Sequence, residues 1–542
     1  MGKRGRPSGG ELKSVPLPLQ VSKYKPISLS QWGISHTQPF FPSIETMFKT
    51  EHVENARDYG LKLDDPIQSV TSASSIVTAS GTTRDVHLKQ TMLVSPFKWM
   101  RGDYGSTLGL PLSQTDGKEV FDKIQSQHNA AYVGSLFSAV LSQTKCIHFP
   151  AVYGVYSGIA ANHTIDVSDD YPDLVDSPWF TQNIGNTFEL KLTEHLQSSK
   201  SFKHTRSARS PVHIGDDDVD IGNVEQMDGI PVAETEMAGM DTVMNTADDS
   251  EDNMSDSSSV STSYVFGAKS CDCLFDDDSS DDESVGSEEA FAWATLHNVP
   301  VQLTIMEKCD GTLYELMCQQ NETQKHIAWI TQVMFALAYA QRTIGFTHND
   351  LHANNVMYVK TSKEELWYKL DGKVFRVPTY GYLIKIIDFE RGVASIRIAG
   401  MKHPKTFMSD HFAINEEAGG QYNAEPFYTQ KHEHIKPNPS FDLVRLATSL
   451  FWDFFPEGPS HEEYKSNPMF NTFVRWMTQD DGTSVFFGKT DSKHDRYHGF
   501  TLYKAIARYC KESAIPRKEI VSLVPLFGVL NGTHPVDFDV VI

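Results

Sequence analysis

From residue 345 to residue 358 the chain reads Gly-Phe-Thr-His-Asn-Asp-Leu-His-Ala-Asn-Asn-Val-Met-Tyr, a polar loop held between two apolar runs. On its N-terminal side, Ile327, Ile330, Val333, Met334, Leu337, Ala338 and Ala340 recur at i, i+3, i+4 and i+7, which predicts a core helix over 327–343. On its C-terminal side, Val356-Met357-Tyr358-Val359 reads as a strand. A second apolar strand, Ile384-Lys385-Ile386-Ile387, ends in Asp388-Phe389-Glu390. The loop itself carries His348, Asp350 and Asn355 in the order His-x-Asp-x-x-x-x-Asn. Two carboxylates and an amide are thereby available to orient a hydroxyl, accept its proton and ligate a divalent ion.

In order and spacing, Asp350, Asn355 and Asp388 resemble the catalytic loop and the Asp-Phe-Gly turn of the protein-kinase-like superfamily. The resemblance implies an α+β, bilobal fold, with a small β-rich N-lobe and a larger α-helical C-lobe, that binds ATP and Mg2+. It implies that Asp350 is the base, or at least orients the nucleophile, and that Asn355 and Asp388 hold metal. His352 stands where ordinary protein kinases carry a Lys against the γ-phosphate. A His there also resembles haspin-like kinases and small-molecule phosphotransferases of the aminoglycoside and choline type. Mostly uncharged at neutral pH, it clamps phosphate less firmly than Lys would.

The same resemblance makes His348 a structural support that packs on the Asp-Phe motif. Asn349 occupies the place of an Arg that pairs with a phosphorylated activation loop in regulated kinases. Activity is therefore expected not to depend on loop phosphorylation, and Asn349→Arg is expected to leave it nearly unchanged. Glu390 replaces the usual Gly and stiffens the turn, so a flipped form of Phe389 is less accessible. Asp442 opens the amphipathic run Ser440–Phe451 and resembles the large-lobe acid that accepts hydrogen bonds from the catalytic-loop backbone. A plain first-turn helix acid is the alternative.

Upstream, Ser69-Val70-Thr71, Ser75-Ile76-Val77-Thr78 and Asp85-Val86-His87-Leu88-Lys89 read as strands, with a turn at Gly81. Val86-His87-Leu88-Lys89 sits where a kinase carries Val-Ala-Ile-Lys, so Lys89 is the candidate to pair the α/β phosphates. No Gly-x-Gly-x-x-Gly precedes it, and Gly81 alone cannot cradle a triphosphate. The stretch Thr91–Tyr104, the run Asn129-Ala130-Ala131-Tyr132-Val133 and the enlarged hairpin around Asp371-Gly372 resemble Ser/Thr kinases encoded by giant, mimivirus-like DNA viruses. A helix over about 128–142 is the counterpart of the one whose Glu pairs the strand lysine, yet it contains no acid. Glu119 or Asp122 would serve only if that helix started earlier, and the pairing acid stays unassigned. Val299–Met306 predicts a buried strand, and the Glu307, Lys308 and Cys309 that follow resemble the kinase hinge, which implies that their backbone receives adenine. Met306 stands at the back of that pocket or is simply a core methionine.

These elements divide the 542 residues into a basic, disordered N-terminus (1–25), an N-lobe (26–165), an acidic Ser-rich insertion, mostly disordered (166–290), a last N-lobe strand (291–306) and a C-lobe (307–542). Pro178–Leu190 is apolar enough to pack locally. The rest of the insertion buries too little to offset its ordering entropy, and its charge calls for a basic partner. Arg4-Gly5-Arg6-Pro7 looks like an AT-hook core, a DNA-binding reading set against plain disorder. A net charge of −22 argues against general nucleic-acid binding. Six scattered cysteines suit a reducing compartment, and Cys271-Asp272-Cys273 has the wrong spacing for zinc. With no apolar run of membrane length and no signal peptide, the expectation is a soluble, intracellular protein without a membrane partner, in host cytoplasm or virion if viral. Three readings follow: a Ser/Thr protein kinase, a nucleotide-binding pseudokinase scaffold, or a small-molecule phosphotransferase.

Overall fold

The computed structural model describes residues 16–39, 58–105, 110, 118–168, 170–192, 292–413, 416, 418–422, 437–488, 495–497, 499–529 and 537–542, all in one unit formed by 1–211 and 265–542. Arg4, Arg6, the Cys271-Asp272-Cys273 pair and the acidic tract beyond residue 192 lie outside them.

The fold is mixed α+β. Its largest sheet has seven strands: β1 (Ile34–Gln38), β2 (Ile67–Val70), β3 (Ser75–Thr78), β4 (Thr83–Met92), β5 (Val152–Asp166), β6 (Phe188–Leu192) and β7 (Ala292–Glu307). Their spatial order is β1-β5-β7-β4-β3-β2, with β6 also pairing β7. β7 explains the architecture. Its first half alternates buried and part-exposed residues, as a strand with one covered face must, whereas Val299–Met306 is buried throughout. That second half is central because β4 and β5 flank it, with Lys89 opposite Thr304 and Val155 also opposite Thr304.

Residues 166–192, assigned by composition to the insertion, instead extend this sheet. Two short helices, Tyr171–Val175 and Pro178–Asn183, lead into β6, and Phe180 packs on Phe188 with ring centroids 5.1 Å apart. Leu192 pairs with Ala292, so the chain leaves the sheet and rejoins it at one point.

Helix α1 (Ala130–Gln143) lies against the sheet, with Ser135 Oγ 2.8 Å from Thr304 Oγ1. Asn129 caps it, accepting from the Ala131 N–H while its amide donates to the Leu93 carbonyl. This helix contributes to both apolar clusters: Ala131 and Tyr132 to the one on the sheet, Val133, Leu136 and Phe137 to the larger helical one. The larger cluster is centred on α2 (Thr323–Ile344), whose apolar stripe buries Trp329, Val333, Phe335, Ala336 and Leu337. Helices α3 (Phe441–Phe454), α4 (Pro468–Trp476) and α5 (Phe500–Tyr509) complete it. Between α2 and α3 run β8 (Val356–Lys360), β9 (Glu365–Leu370), β10 (Lys373–Pro378) and β11 (Tyr382–Ile386). β9 and β10 form the hairpin turning at Asp371-Gly372, both at positive φ (48° and 79°), as an Asp-Gly two-residue turn requires.

Candidate active site

The polar loop is fixed at both ends. α2 stops at Gly345, whose φ of 58° and N–H bond to Gln341 O form a left-handed cap. Thr347 then exchanges two 2.9 Å backbone hydrogen bonds with Val393. The next two amides, those of His348 and Asn349, donate to Asp442 Oδ2 (2.9 Å) and Oδ1 (3.0 Å). Asp442 is wholly buried on the first turn of α3, and burial pushes its carboxyl above the usual range, opposed by His348 and by the two amide bonds. It therefore braces the loop backbone, a role beyond that of a first-turn helix acid.

The ladder between β8 and β11 brings the second motif in. Val356 pairs with Ile386, so one residue further out Ile387 N–H donates to Asn355 O (3.1 Å). Asn355 Nδ2 donates to the Asp350 carbonyl (3.0 Å), and His348 Nε2 donates to the Ile387 carbonyl (2.7 Å). Asp350, Asn355 and Asp388 are thus gathered by hydrogen bonds between the loop and the end of β11, the longest in sequence, His348 to Ile387, joining residues 39 apart. Phe389 is 3% exposed, its ring 5.6 Å from that of His348 and 5.7 Å from that of Phe346. Asn349 and Asp388 both sit at positive φ (64° and 65°), strained backbone of a kind that clusters at functional sites.

Lys89 reaches this cluster from β4. Its Nζ lies 2.8 Å from Asp388 Oδ1 and 2.9 Å from Glu390 Oε1. Burial alone would favour the neutral amine, but Asp388 and Glu390 outweigh it and hold the ammonium above the usual lysine range. Burial likewise pushes Asp388 up, and Lys89 reverses this to hold the carboxyl below its ordinary value. Besides Asp388, the acid beside Lys89 among the described residues is therefore Glu390; the Glu119 side chain lies outside them. Asp122 is exposed on a separate short helix, Lys118–Gln125. Glu390 also accepts from Thr91 Oγ1 (2.7 Å).

One sequence reading changes here. Asn349 is fully buried, its Nδ2 donating to Arg391 O (3.0 Å) and its Oδ1 accepting from Tyr422 OH (2.7 Å). A long cation has no room in that pocket, so the expectation that Asn349→Arg is neutral is withdrawn. Gly81, at φ 80°, turns between β3 and β4. The first hairpin, between β2 and β3, turns through Thr71-Ser72-Ala73-Ser74, which contains no glycine.

At the end of β7, Met306 is 7% exposed and pairs with His87 and Val152. Glu307 N–H donates to Ala151 O (2.8 Å), and Glu307 Oε2 accepts from the Ala151 N–H (3.1 Å) and from Lys385 Nζ (2.9 Å). Both its amide and its carboxylate are thus engaged within the protein. Lys308 is exposed. Burial, then the Glu307 charge, pushes the Cys309 thiol up to about 12.

Two groups the sequence did not single out complete the site. Tyr503 OH, from α5, donates to Asp350 Oδ1 (2.7 Å), and Arg391 Nη1 lies 3.7 Å from Asp350 Oδ2. Tyr503 is 153 residues away in sequence and carries no local signal. His352 opens the 3₁₀ turn Ala353–Asn355 beside Asp350, its N–H donating to the Asp350 carbonyl (3.0 Å). Among the described residues no group of three or more His, Cys, Asp or Glu is placed to hold a metal. The Asn355 and Asp388 oxygens form a sparser set, of the kind that suits Mg2+, an ion that keeps waters and takes further oxygens from phosphate. With the Asn355 amino group turned to the Asp350 carbonyl, its amide oxygen is the atom left for a cation.

No family model matches the chain. Over 58 residues it is 43% identical to the serine/threonine-protein kinase haspin of Mus musculus and 45% identical to that of Bos taurus, 11% of this chain and 8% and 7% of theirs. Over 101 residues it is 33% identical to a protein of Acanthamoeba polyphaga mimivirus named as a candidate serine/threonine-protein kinase, 17% of this chain and 22% of that one. The chain thus spans only a small part of the curated relatives it matches. Over those stretches, the proteins it is similar to are kinase-like ones, from animals and from viruses alike.

Proposed function

We propose that the chain is an ATP- and Mg2+-dependent protein kinase of bilobal fold that phosphorylates Ser or Thr hydroxyls of a protein substrate. The observation that carries this reading is the convergence of Lys89, Asp350, Asn355 and Asp388 on one site. Asp350 would orient the acceptor hydroxyl and take its proton, with Arg391 and Tyr503 setting its carboxylate. Asn355 and Asp388 would hold Mg2+, whose role when bound is to neutralise phosphate charge. Lys89 would pair the α/β phosphates, and the backbone after Met306, at Lys308 and Cys309 rather than the engaged Glu307 amide, would receive adenine. His352 would stand on the γ-phosphate side. The acidic tract would meet a basic partner, and Arg4 with Arg6 remains the proposal for DNA. Among the described residues no helix is long and apolar enough to cross a membrane.

A second reading, a scaffold that binds nucleotide without turnover, is favoured by two observations. Both oxygens of Asp350 have protein partners, and the first hairpin tip lacks glycine. Turnover of γ-labelled ATP on mixed protein and metabolite acceptors separates these readings, and label on metabolites alone would identify a small-molecule phosphotransferase. The kinase reading expects label on protein Ser or Thr that disappears in Asp350→Ala. Undiminished transfer in that variant would defeat it.

A further inference from the structure

Helix α1 carries no acid anywhere along Ala130–Gln143, yet Lys89 does not lack a carboxylate beyond the proposed metal ligand. Glu390 supplies it from the far side of the Asp-Phe turn. Its Oε1 accepts from both Lys89 Nζ (2.9 Å) and Thr91 Oγ1 (2.7 Å). Those two donors lie two residues apart on β4 and therefore on one face of the strand. Both charged partners are mostly shielded, with side chains 23% and 21% exposed. A pair of that kind holds geometry better than a surface one.

The space Glu390 occupies is made by a glycine. A Cβ on Gly134, mid-way along α1, would stand 2.7 Å from Glu390 Cγ and 3.4 Å from its backbone N and Cα. Any side chain at 134 would displace the Glu390 side chain from Lys89. Glycine is a poor residue for a helix interior, so its presence here fits a packing requirement. We infer that Glu390 is the positioning residue for Lys89, delivered by the Asp-Phe-Glu turn through a gap at Gly134, in place of a carboxylate carried on α1. The consequence is functional. Lys89 keeps a carboxylate partner separate from Asp388, so its placement does not depend on the group proposed to bind Mg2+. The inference rests on the kinase reading only in taking Lys89 as a nucleotide-binding group.

The test uses the full-length protein, a fluorescent ATP analogue in Mg2+-free buffer, and steady-state kinetics with Mg·ATP. Circular dichroism checks that each variant is folded. Glu390→Gln should weaken analogue binding and raise KM for ATP roughly 10- to 100-fold, as loss of an orienting partner does, with kcat changed less. Thr91→Val, which removes only the second donor, should move the same quantities in the same direction by a smaller factor. Gly134→Glu alone should also weaken binding, because it collides with Glu390. The double variant Gly134→Glu/Glu390→Gly should bind more tightly than Glu390→Gly, since it returns a carboxylate to the vacated space. Wild-type binding combined with an unaltered Glu390→Gln variant overturns this inference alone, and so does a double variant no better than Glu390→Gly. A wild-type protein that binds no nucleotide overturns the kinase reading and this inference with it.

Discussion

Replacing Asp442 by alanine removes the acceptor of two buried backbone amides, those of His348 (2.9 Å) and Asn349 (3.0 Å). Each orphaned buried donor costs about 1–3 kcal/mol, giving about 2–6 kcal/mol in total. An opposing effect reduces this. Burial already raises the Asp442 carboxyl, so its removal also relieves an unfavourable desolvation, and the lower half of the range is expected. At roughly 2–4 °C per kcal/mol for a large domain, the thermal midpoint should fall by about 4–16 °C. Asp442→Asn keeps one acceptor but turns an NH2 group toward the other amide, so about half the loss should remain. ATP turnover should fall in both, because these two amides set the backbone that carries Asp350. Differential scanning fluorimetry and turnover on the same samples read both effects. A first-turn acid acting only on the helix dipole contributes about 0.3–1 kcal/mol, and Asn would cap as well as Asp. A midpoint within about 2 °C of wild type for both variants, with turnover intact, would refute the bracing role.

Asn349→Arg should lower both thermal midpoint and turnover, because it inserts a charge into a buried pocket and severs the bonds to Arg391 O and Tyr422 OH; wild-type behaviour would restore the view that this position is neutral. Tyr503→Phe should leave the Asp350 carboxylate less well set and lower turnover of the acceptor protein by about three- to tenfold while leaving KM for ATP alone, and wild-type turnover would argue against it. His163, buried on β5, has its pKa pushed down to about 4 by desolvation. The native state therefore binds fewer protons than the unfolded chain between pH 6.5 and about 4, and stability is lost as pH falls through that window. His163→Leu should flatten the acid side of a midpoint-against-pH curve there, and an unchanged slope would contradict it. Replacing residues 193–291 by a short Gly-Ser turn should leave the midpoint within about 3 °C, since Leu192 and Ala292 already pair; loss of the folded sheet would show that the tract is needed.

What could be read from the sequence was what is local. The helix before the loop, the strands around it and the Asp-Gly hairpin follow from periodicity and turn chemistry within a few residues of each other. The order Asp350, Asn355, Asp388 was legible because the loop and the strand after it carry the spacing, and Lys89 because Val86-His87-Leu88-Lys89 stands where the resemblance expects Val-Ala-Ile-Lys. Glu390 was visible only as a substitution in a turn. Its pairing with Lys89 depends on Gly134 in a helix more than 250 residues earlier, a tertiary coincidence with no local trace. The turn at Gly81 was legible because glycine is the strongest punctuation in that stretch, and it does fall between Ser75–Thr78 and Thr83–Met92. Residues 166–192 were grouped with the acidic tract by average composition, although Phe180 and Phe188 supply enough apolar surface to hold β6 on the sheet. Tyr503 and Arg391 had no signal at all, since each matters only through contact with Asp350.

The most direct test of the central claim is a crystal structure of the protein with Mg2+ and a non-hydrolysable ATP analogue. The account predicts one ion with Asn355 Oδ1 and an Asp388 carboxylate oxygen at about 2.1 Å, phosphate oxygens completing its shell, and Lys89 against the α/β phosphates. A nucleotide bound elsewhere, or an ion that touches neither Asn355 nor Asp388, would contradict it.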